Sequence, residues 1–327
     1  MHLIIGGSGF IGTRLAKRLE RIKSPFQIVD KVKSNSFPKL TDICDIRDRE
    51  KLLAVNTNAE VITNLAAEHR DDVRPKSLYD EVNVMGSQHI CDFAEAKGIS
   101  KIIFTSSVAV YGFADRGTDE GGKINPFNDY GRTKYEAELI YKKWHAKDPE
   151  NRTLVIVRPT VVFGEQNRGN VYNLLKQIAA GKFIMIGNGE NRKSMAYVEN
   201  VAAFLEHSNT MAPGVHTYNY IDKPDFNMNS LVVRVKQALG KEGKVGLRVP
   251  YCVGMLAGYG FDLIAKISGK NLPISSIRIQ KFCKDSVYNT AIESTGFKPP
   301  IDLQDAIGNT IDYEFVSKKD GEVFFTE

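Results

Sequence analysis

A tyrosine and a lysine stand four residues apart near the middle of the chain, in the stretch Tyr130-Gly131-Arg132-Thr133-Lys134. On a helix this spacing places both side chains on one face. An ammonium group beside a phenol favours the phenolate and lowers the phenol pKa from its usual value of about 10. Tyr130 is therefore a candidate proton donor or acceptor near neutral pH, with Lys134 as the residue that adjusts it.

Two serines precede this pair and follow an apolar run. Ser106 and Ser107 come directly after residues 101–105, which predict a strand, and Ser107 lies 23 residues before Tyr130. The carboxyl ends of parallel strands are where such sheets hold ligands. A serine hydroxyl at this place can donate a hydrogen bond to the substrate oxygen that Tyr130 protonates or deprotonates.

A glycine-rich stretch, Gly6-Gly7-Ser8-Gly9-Phe10-Ile11-Gly12, lies between a predicted strand at 3–5 and a predicted helix at 10–22. Gly6 permits a tight turn, Gly9 lets the backbone approach a pyrophosphate, and Gly12 lets the helix pack closely on the strand. The helix N-terminus adds free N–H groups and a partial positive charge. The stretch predicts a dinucleotide site, with Phe10 and Ile11 beside the phosphates.

Asp30 ends the second predicted strand, 18 residues after Gly12. A carboxylate at this position accepts hydrogen bonds from the ribose hydroxyls of NAD and repels the 2′-phosphate of NADP. NAD is therefore the predicted cofactor. NADP stays open as an alternative because Lys31 and Lys33 lie close by and can serve a phosphate.

These residues need a sheet that brings the ends of several strands together. Apolar runs predict strands at 3–5, 26–30, 61–65, 101–105 and 153–157, and amphipathic segments predict helices at 10–22, 48–55, 79–97 and 130–147. Alternation of this kind indicates a parallel sheet covered on both faces. With right-handed crossovers, it predicts a Rossmann-type, doubly wound α/β fold.

The pattern loosens after Arg158, where helices are predicted at 171–180, 198–209, 228–239 and 251–267 and strands at 182–187 and 215–221. We expect residues 1–165, with returning segments at about 190–222, to form the Rossmann-type domain. Residues of about 166–190 and 223–327 would form a smaller C-terminal α/β substrate lobe. The apolar run 249–267 is shorter than the ~20 residues of a membrane span and predicts a buried or lobe-packing helix, without firm membrane association.

Composition limits the classes of function. The chain has 327 residues, of which 42% are hydrophobic and 25% charged, and these ordinary values exclude disordered and fibrous chains. A net charge of +5 does not indicate nucleic acid and suits an anionic small ligand. The cysteines are far apart, so they predict reduced thiols and neither a metal site nor a disulfide framework. The amino terminus has no signal-peptide pattern, so a cytoplasmic protein is expected.

With these motifs the chain resembles the extended short-chain dehydrogenase/reductases, in particular the NAD-dependent nucleotide-sugar epimerase/dehydratase family. The resemblance covers nearly the whole chain, most firmly residues 1–164. It rests on the glycine-rich stretch and on Cys44-Asp45-Ile46-Arg47, Asn64-Leu65-Ala66-Ala67, Val82-Asn83-Val84, Ser106 to Gly112, Tyr130 to Lys134, Arg158-Pro159, Lys193 to Asn200 and Gly296 to Pro299.

The resemblance implies roles for further residues. Ser107 matches the catalytic hydroxyl position, beside Ser106, and Tyr130 resembles the acid/base. Lys134 resembles the residue that binds the nicotinamide ribose, and Asn83 the residue that braces the active-site strand. The remaining implied cofactor contacts are Asp45 and Ile46 at adenine, Leu65, Ala66 and Ala67 under the ribose and pyrophosphate, and Pro159 beside the nicotinamide.

Departures from the family pattern limit the reaction. The 4,6-dehydratases carry an Asp-Glu pair after the active-site hydroxyl, where this chain has Val108 and Ala109. Dehydration of the sugar is therefore not expected. The asparagine that many epimerases place three residues after the arginine of the Arg158 segment is Val161 here.

The predicted substrate contacts depart from the pattern too. The family's Arg-Asp pair is Lys193-Ser194 in this chain, so Lys193 and the adjacent Arg192 supply the cations for a substrate diphosphate. Asn170 matches another position that often contacts that diphosphate. Together with Ser107, these residues form the predicted substrate set.

The resemblance implies NAD-dependent epimerisation at C4 of a UDP-hexose or UDP-N-acetylhexosamine, with Tyr130 as acid/base. The same residues serve an NAD(P)H-dependent 4-keto-(6-deoxy)sugar-nucleotide reductase of surface-polysaccharide synthesis. The segment from Val249 is similar to the 3β-hydroxysteroid dehydrogenase branch, which keeps a sterol-type dehydrogenase open. A non-catalytic NAD-binding protein is the remaining alternative. Similar enzymes dimerise through four helices, here 79–97 and 130–147 of each copy, so a homodimer is expected.

Overall fold

A parallel sheet of seven strands forms the centre of the molecule, in a computed structural model that describes residues 1–70, 73–269, 275–317 and 319–325. Its strands are β1 (His2–Ile5), β2 (Phe26–Asp30), β3 (Thr41–Ile43), β4 (Val61–Asn64), β5 (Lys101–Thr105), β6 (Thr153–Pro159) and β10 (Gly214–Tyr220). Their spatial order is β10-β6-β5-β4-β1-β2-β3. All residues of β1 and β6 are buried, as expected for strands covered on both faces.

The chain changes direction across the sheet next to β1. This strand pairs with β2 on one side and with β4 on the other. The loops that leave the carboxyl ends of β1 and β4 therefore diverge and border a crevice. Doubly wound sheets bind their ligands at such a point.

Helices cover both faces of the sheet. They are α1 (Phe10–Arg21), α2 (Arg49–Ala54), α3 (Gly86–Lys97), α4 (Asp129–Ala146) and α6 (Val198–His207), and a π-helical stretch, Tyr79–Met85, leads into α3. On one face α1 packs against α6 over a core that includes Leu15, Val155 and Phe204. On the other face α2, α3 and α4 enclose a core that includes Phe93 and Trp144.

A smaller lobe has its own sheets and core. Its strands are β7 (Val161–Phe163), β9 (Arg192–Tyr197) and β11 (Asp222–Asn227), in the order β11-β9-β7, and the pair β8 (Met185–Ile186) and β12 (Arg248–Val249). Its helices are α5 (Asn170–Ala179), α7 (Met228–Ala238), α8 (Tyr251–Ser268), α9 (Ser276–Cys283) and α10 (Leu303–Ile311). Leu175, Val232 and Ile307 lie at the centre of this second core.

The Rossmann-type α/β fold is confirmed. The predicted domain boundaries stay a prediction; within them, β7 and β9 pair with β11 in a sheet of their own. Helix α6, strand β10 and Ile292 return to the core of the large sheet. The strand predicted at 182–187 is reduced to the two residues of β8.

The helix predicted at 251–267 forms, as α8, and of the two predicted placements it adopts the one that packs on the lobe. It is not buried: only Gly254 and Gly258 of this helix are, and most of its large apolar side chains are exposed. Among the described residues, no helix has the length and hydropathy to cross a membrane.

Candidate active site

The glycine-rich loop is shaped by close backbone contacts. Gly6 has a φ of 80°, and its N–H donates to the carbonyl oxygen of Val29 at 2.8 Å. A Cβ at Gly6 would lie 2.5 Å from the backbone nitrogen of Ala66. A Cβ at Gly12 would lie 2.5 Å from Cα of Gly7. Both positions therefore require glycine, as the sequence predicts.

The N-terminus of α1 opens at this loop. Its N-cap is Gly9, whose lack of a side chain leaves the first N–H groups without a side-chain acceptor, and its first turn has no acidic residue. An anion is the natural partner of such a helix end. Phe10 is buried in the core of the lobe and Ile11 is half-buried. The loop therefore fits the pyrophosphate of a dinucleotide.

Asp30 is held against the same loop. One oxygen of its carboxylate accepts from the N–H of Ser8 at 3.0 Å and the other from the N–H of Val32 at 3.1 Å. Each oxygen keeps a free lone pair for a ribose hydroxyl. Lys31, a predicted alternative contact for a 2′-phosphate, instead pairs with Glu68 at 3.1 Å. The arrangement favours NAD over NADP.

The residues predicted at adenine already have protein partners. Hydrogen bonds from the Arg47 side chain, the shortest of them 2.7 Å long, lower the pKa of Asp45. Ile46 is buried in the core under α3, where a Cβ at Gly86 would touch it. An adenine contact by Asp45 therefore has to be shared with Arg47.

The turn after β4 joins the cofactor loop to α4. Residues Leu65, Ala66 and Ala67 follow β4, and the N–H of Leu65 donates to the carbonyl oxygen of Ile5 at 2.8 Å. Asn83 is buried and binds both backbone groups of Glu68, at 2.8 and 2.9 Å. Its amide also donates to the hydroxyl of Thr133 at 3.0 Å. Asn83 thus braces this turn against α4.

The two serines after β5 have different partners. Ser106 is buried, and its hydroxyl donates to Oε1 of Glu138 at 2.6 Å. Ser107 is half-buried, and its hydroxyl oxygen accepts from the N–H of Ala109 at 3.1 Å. The hydroxyl hydrogen of Ser107 is therefore available to a ligand, whereas that of Ser106 is used.

The start of α4, which carries Tyr130, lies against the turn that follows Ser107. Asn128 caps the helix by accepting from the N–H of Gly131 at 2.9 Å. A Cβ at Gly131 would overlap the carbonyl oxygen of Ala109, two residues after Ser107. The first turn of α4 therefore lies directly on the turn that carries Ser107. The half-buried Tyr130 belongs to this first turn.

Lys134 lies one turn further along α4 and is buried. Its Nζ is 4.4 Å from the ring centroid of Phe104, on β5. Burial lowers the pKa of Lys134 to about 7, although the charge of Glu138 opposes this shift. The lysine thus exchanges protons near neutral pH.

A buried ion pair, which is not predicted from the sequence, lies next to Ser106. Two nitrogens of Arg158 donate to the carboxylate of Glu138 at 2.8 and 2.6 Å. A third donates to the hydroxyl of Tyr111 at 2.7 Å. Burial opposes the charge of Arg158, but its bonds to Glu138 outweigh this and raise its pKa. Glu138 continues the face of Tyr130 and Lys134 at helical spacing, a signal by which it was predictable.

The predicted substrate residues differ in their availability. Asn170 is exposed as the first residue of α5, a helix that has no side-chain cap. Arg192 is exposed, and its guanidinium has no partner among the described residues. The ammonium of Lys193 donates to the carbonyl oxygens of Lys281 and Lys284 at 2.8 and 2.6 Å. Burial lowers the pKa of Lys193 to about 8.

Lys193 therefore holds the carboxyl end of α9, and its diphosphate contact stays a prediction that this geometry does not favour.

Two other cations, Arg248 and Lys284, line a cavity of about 890 Å³ in the lobe, and Ile186 and Tyr251 line it as well. Neither cation belongs to a motif that is recognisable in the sequence.

In the described part of the chain, no cluster of three or more His, Cys, Asp or Glu side chains could hold a metal ion.

The chain is similar to known epimerases and dehydrogenases. A model of the NAD dependent epimerase/dehydratase family matches residues 2–219. The chain is 48% identical to N-acetyl-alpha-D-glucosaminyl-diphospho-ditrans,octacis-undecaprenol 4-epimerase of Escherichia coli O157:H7, over 99% of this chain and 98% of that one. It is 26% identical to a decarboxylating sterol-4-alpha-carboxylate 3-dehydrogenase of Candida albicans, over 95% and 96%.

Solved structures share the fold. A crystal structure of UDP-glucose 4-epimerase from Thermotoga maritima with UDP-glucose superposes with a TM-score of 0.76, at 19% identity, over 97% of this chain and 99% of that one. At this identity the likeness supports the fold alone.

Proposed function

Since the chain belongs to the NAD-dependent epimerase/dehydratase family, we propose that it epimerises C4 of an N-acetylhexosamine carried on a diphosphate. The proposed substrate is N-acetylglucosamine joined through its diphosphate to a polyprenol such as undecaprenol. The single observation that carries this proposal is the 48% identity, over nearly the full length of both chains, to an enzyme named for that reaction.

The site chemistry agrees with a 4-epimerase. Tyr130 takes the proton from the C4 hydroxyl, and the hydroxyl of Ser107 donates a hydrogen bond to the same oxygen. NAD, which the glycine-rich loop and Asp30 would hold, would supply the acceptor and then the donor for the hydride at C4. Tyr130 then gives its proton back to the C4 oxygen. Lys134, buried one turn from Tyr130 on the same helix, is the residue that we expect to bind the ribose of the cofactor.

The buried ion pair of Arg158 and Glu138 holds the elements that carry the catalytic residues in place. Glu138 accepts from Ser106 and lies on the same helix as Tyr130 and Lys134. It therefore ties the end of β5 to α4 and holds Ser107 and Tyr130 in register. Pro159, the residue after Arg158, is buried at the end of β6, where the predicted nicotinamide contact would lie.

The positions that favour dehydration in related enzymes hold apolar side chains. Val108 and Ala109 form the start of a 3₁₀ turn after Ser107, and neither offers a proton-transfer group. This supports epimerisation over elimination of water from C5 and C6.

The cavity in the lobe suits a diphosphate joined to an apolar carrier. Arg248 and Lys284 supply two positive charges, while Ile186 and Tyr251 supply apolar surface. A nucleotide would add a polar base and ribose at this place. We therefore favour the lipid-linked substrate over the UDP-sugar that the sequence resemblance implies.

We also propose that the protein is a homodimer and that it acts in the cytoplasm. A homodimer through the 79–97 and 130–147 segments agrees with the exposure of Met85 and Leu139 on these helices. We place the enzyme on the cytoplasmic side of the cell, where NAD is available. Analytical ultracentrifugation of the purified protein tests the dimer.

The function is tested by product analysis. Purified protein with NAD is incubated with polyprenyl-diphospho-N-acetylglucosamine or, separately, with UDP-N-acetylglucosamine, and the released sugars are identified. We expect N-acetylgalactosamine from the lipid-linked substrate, with kcat/KM at least about tenfold above that for the UDP-sugar. Tyr130→Phe is the control: it keeps NAD binding and loses turnover. Turnover of the UDP-sugar alone, or of neither, contradicts the proposal.

A further inference from the structure

One face of α8 exposes a continuous row of large apolar side chains. Leu256 and Ile267 are 71% and 78% exposed, and Leu263 is 59% exposed. The other exposed members of this face, called the α8 face below, are Val253, Tyr259 and Ile264. An exposed apolar patch of this kind marks an interaction site.

The fold turns this face outward by packing α8 through its small residues. A Cβ at Gly254 would lie 2.7 Å from the Ile186 side chain, and one at Gly258 would lie 2.9 Å from Cα of Ser276 on α9. Asp262, one turn further, accepts a hydrogen bond of 2.5 Å from the hydroxyl of Ser276. The side with the small residues therefore faces the lobe, and the α8 face points away from the described part of the chain.

The segment that contains α8 is basic. Its described residues from 246 to 285 carry five basic and two acidic side chains. One acid, Asp262, is bound to Ser276 and half-buried. Lys266 belongs to α8 itself, and the other basic side chains are Arg248, Arg278, Lys281 and Lys284. An anionic surface therefore complements the charge of this segment.

We propose that the α8 face lies in the surface of a membrane that contains anionic phospholipid. Apolar side chains enter the boundary between headgroups and acyl chains, and cations of the same segment, such as Lys266, meet the phosphates. Tyr259 suits that boundary because its ring is apolar and its hydroxyl polar. The proposed contact is with the surface of the bilayer.

The cavity lies at the start of the same helix, and the next step rests on the proposed function. Tyr251, the first residue of α8, lines the cavity, and so does Arg248, three residues earlier. A lipid-linked sugar can thus reach the cavity while its polyprenol stays in the bilayer. The docked face delivers a substrate that does not leave the membrane.

Charge argues against a second copy of the chain as the occupant of this face. An isologous contact would set the same positive segment of each copy against the other. Like charges at an interface oppose association, whereas phosphatidylglycerol or cardiolipin neutralises them. The anionic bilayer is therefore the occupant that matches both the apolar and the basic parts of the surface.

The inference is tested by flotation of the purified full chain with vesicles of phosphatidylcholine, alone or mixed with phosphatidylglycerol. We expect binding to the mixed vesicles that weakens as salt is raised. The double variant Leu256→Gln/Leu263→Gln should bind at least about tenfold more weakly, because two exposed leucines no longer enter the lipid. Ile22→Gln, an exposed apolar residue at the end of α1, is the matched control and should float like the wild type.

Three results overturn the proposal: no flotation of the wild type, equal flotation of the double variant, or conversion of an oligomer to monomers by the double variant without any vesicle binding. NAD binding by each variant checks that it is folded. Turnover of a short-chain polyprenyl substrate in detergent separates this proposal from the function. If the wild type floats but does not turn that substrate over, the docking surface stands and the proposed function fails.

Discussion

At the scale of single residues, the site depends on which of two adjacent serines is free. Ser106 is bound to a buried carboxylate, and Ser107 keeps its hydroxyl hydrogen for a ligand. Sequence alone places both at the end of a strand and identifies Ser107 only through a family resemblance. The structure supplies a physical reason for the same choice.

Alanine substitutions separate these two roles. Ser107→Ala removes a hydrogen bond to the reacting oxygen and should lower kcat by about a hundredfold with little change in stability. Ser106→Ala leaves one oxygen of buried Glu138 with a single donor and should lower the unfolding free energy by about 2 kcal/mol. Steady-state kinetics and urea titration of both variants make the comparison. A larger loss of kcat in Ser106→Ala than in Ser107→Ala would contradict the assignment.

The sequence predicts some of these residues better than others. The glycine loop and the Tyr130–Lys134 pair have local spacings that chemistry explains, so they are readable without a structure. Glu138 shares the helical spacing of Tyr130 and Lys134, but no local pattern predicts that its partner is Arg158, 20 residues away on β6. The tie of Lys193 to the end of α9 spans 88 residues and is likewise invisible in the sequence.

At the scale of elements, helices and buried strands follow from periodicity, and the short strands of the lobe do not. β5 occupies the predicted residues 101–105, and α1 starts at the predicted residue. β7 has three residues and β9 begins with Arg192, Lys193 and Ser194, so neither has an apolar alternation long enough to recognise. Their pairing is decided by the core of the lobe and not by local propensity.

The orientation of α8 shows the same limit. A helix that is apolar on most sides predicts burial. Here the glycines form the packing side, because only they let α8 approach α9 and β8 closely, and the bulky residues remain outside. The sequence contains both features, but it does not show which side faces the protein.

Two glycines of α8 give a matched test of this packing. Gly258→Ala places a Cβ 2.9 Å from the backbone of Ser276 and should destabilise the protein by about 1–3 kcal/mol. Gly260→Ala has no atom within 4 Å of its Cβ and should stabilise α8 by about 1 kcal/mol. Urea unfolding of both variants decides the point. If the two substitutions shift the midpoint in the same direction, α8 is not packed through Gly258.

At the scale of the whole molecule, His2 joins three parts of the fold. It starts β1, its Nε2 lies 2.6 Å from the hydroxyl of Thr63 on β4, and its Nδ1 lies 3.3 Å from the amide of Asn209 after α6. Burial, assisted by the charge of the amino terminus, lowers the pKa of His2 to about 4. The ring is therefore neutral in the folded protein.

The stability of the whole fold should consequently depend on pH. Above the ordinary histidine pKa of 6.5, His2 is neutral in both states and has no effect. Between 6.5 and about 4 only the unfolded chain binds the proton, so the unfolding free energy falls by up to about 1.4 kcal/mol per pH unit. Thermal unfolding across this range, compared with His2→Gln, measures the effect. An equally steep loss of stability in the variant would assign it to other groups.

In the proposed reaction the sugar is oxidised at C4 and reduced again without leaving the site. This is measured with substrate that carries deuterium at C4, wild-type protein and unlabelled NAD, by mass spectrometry of the epimerised sugar. We expect the product to keep the deuterium at C4 and no NADH to accumulate. Deuterium found in released NADH, or lost to water, would contradict it and would indicate a dehydrogenase or another route of epimerisation.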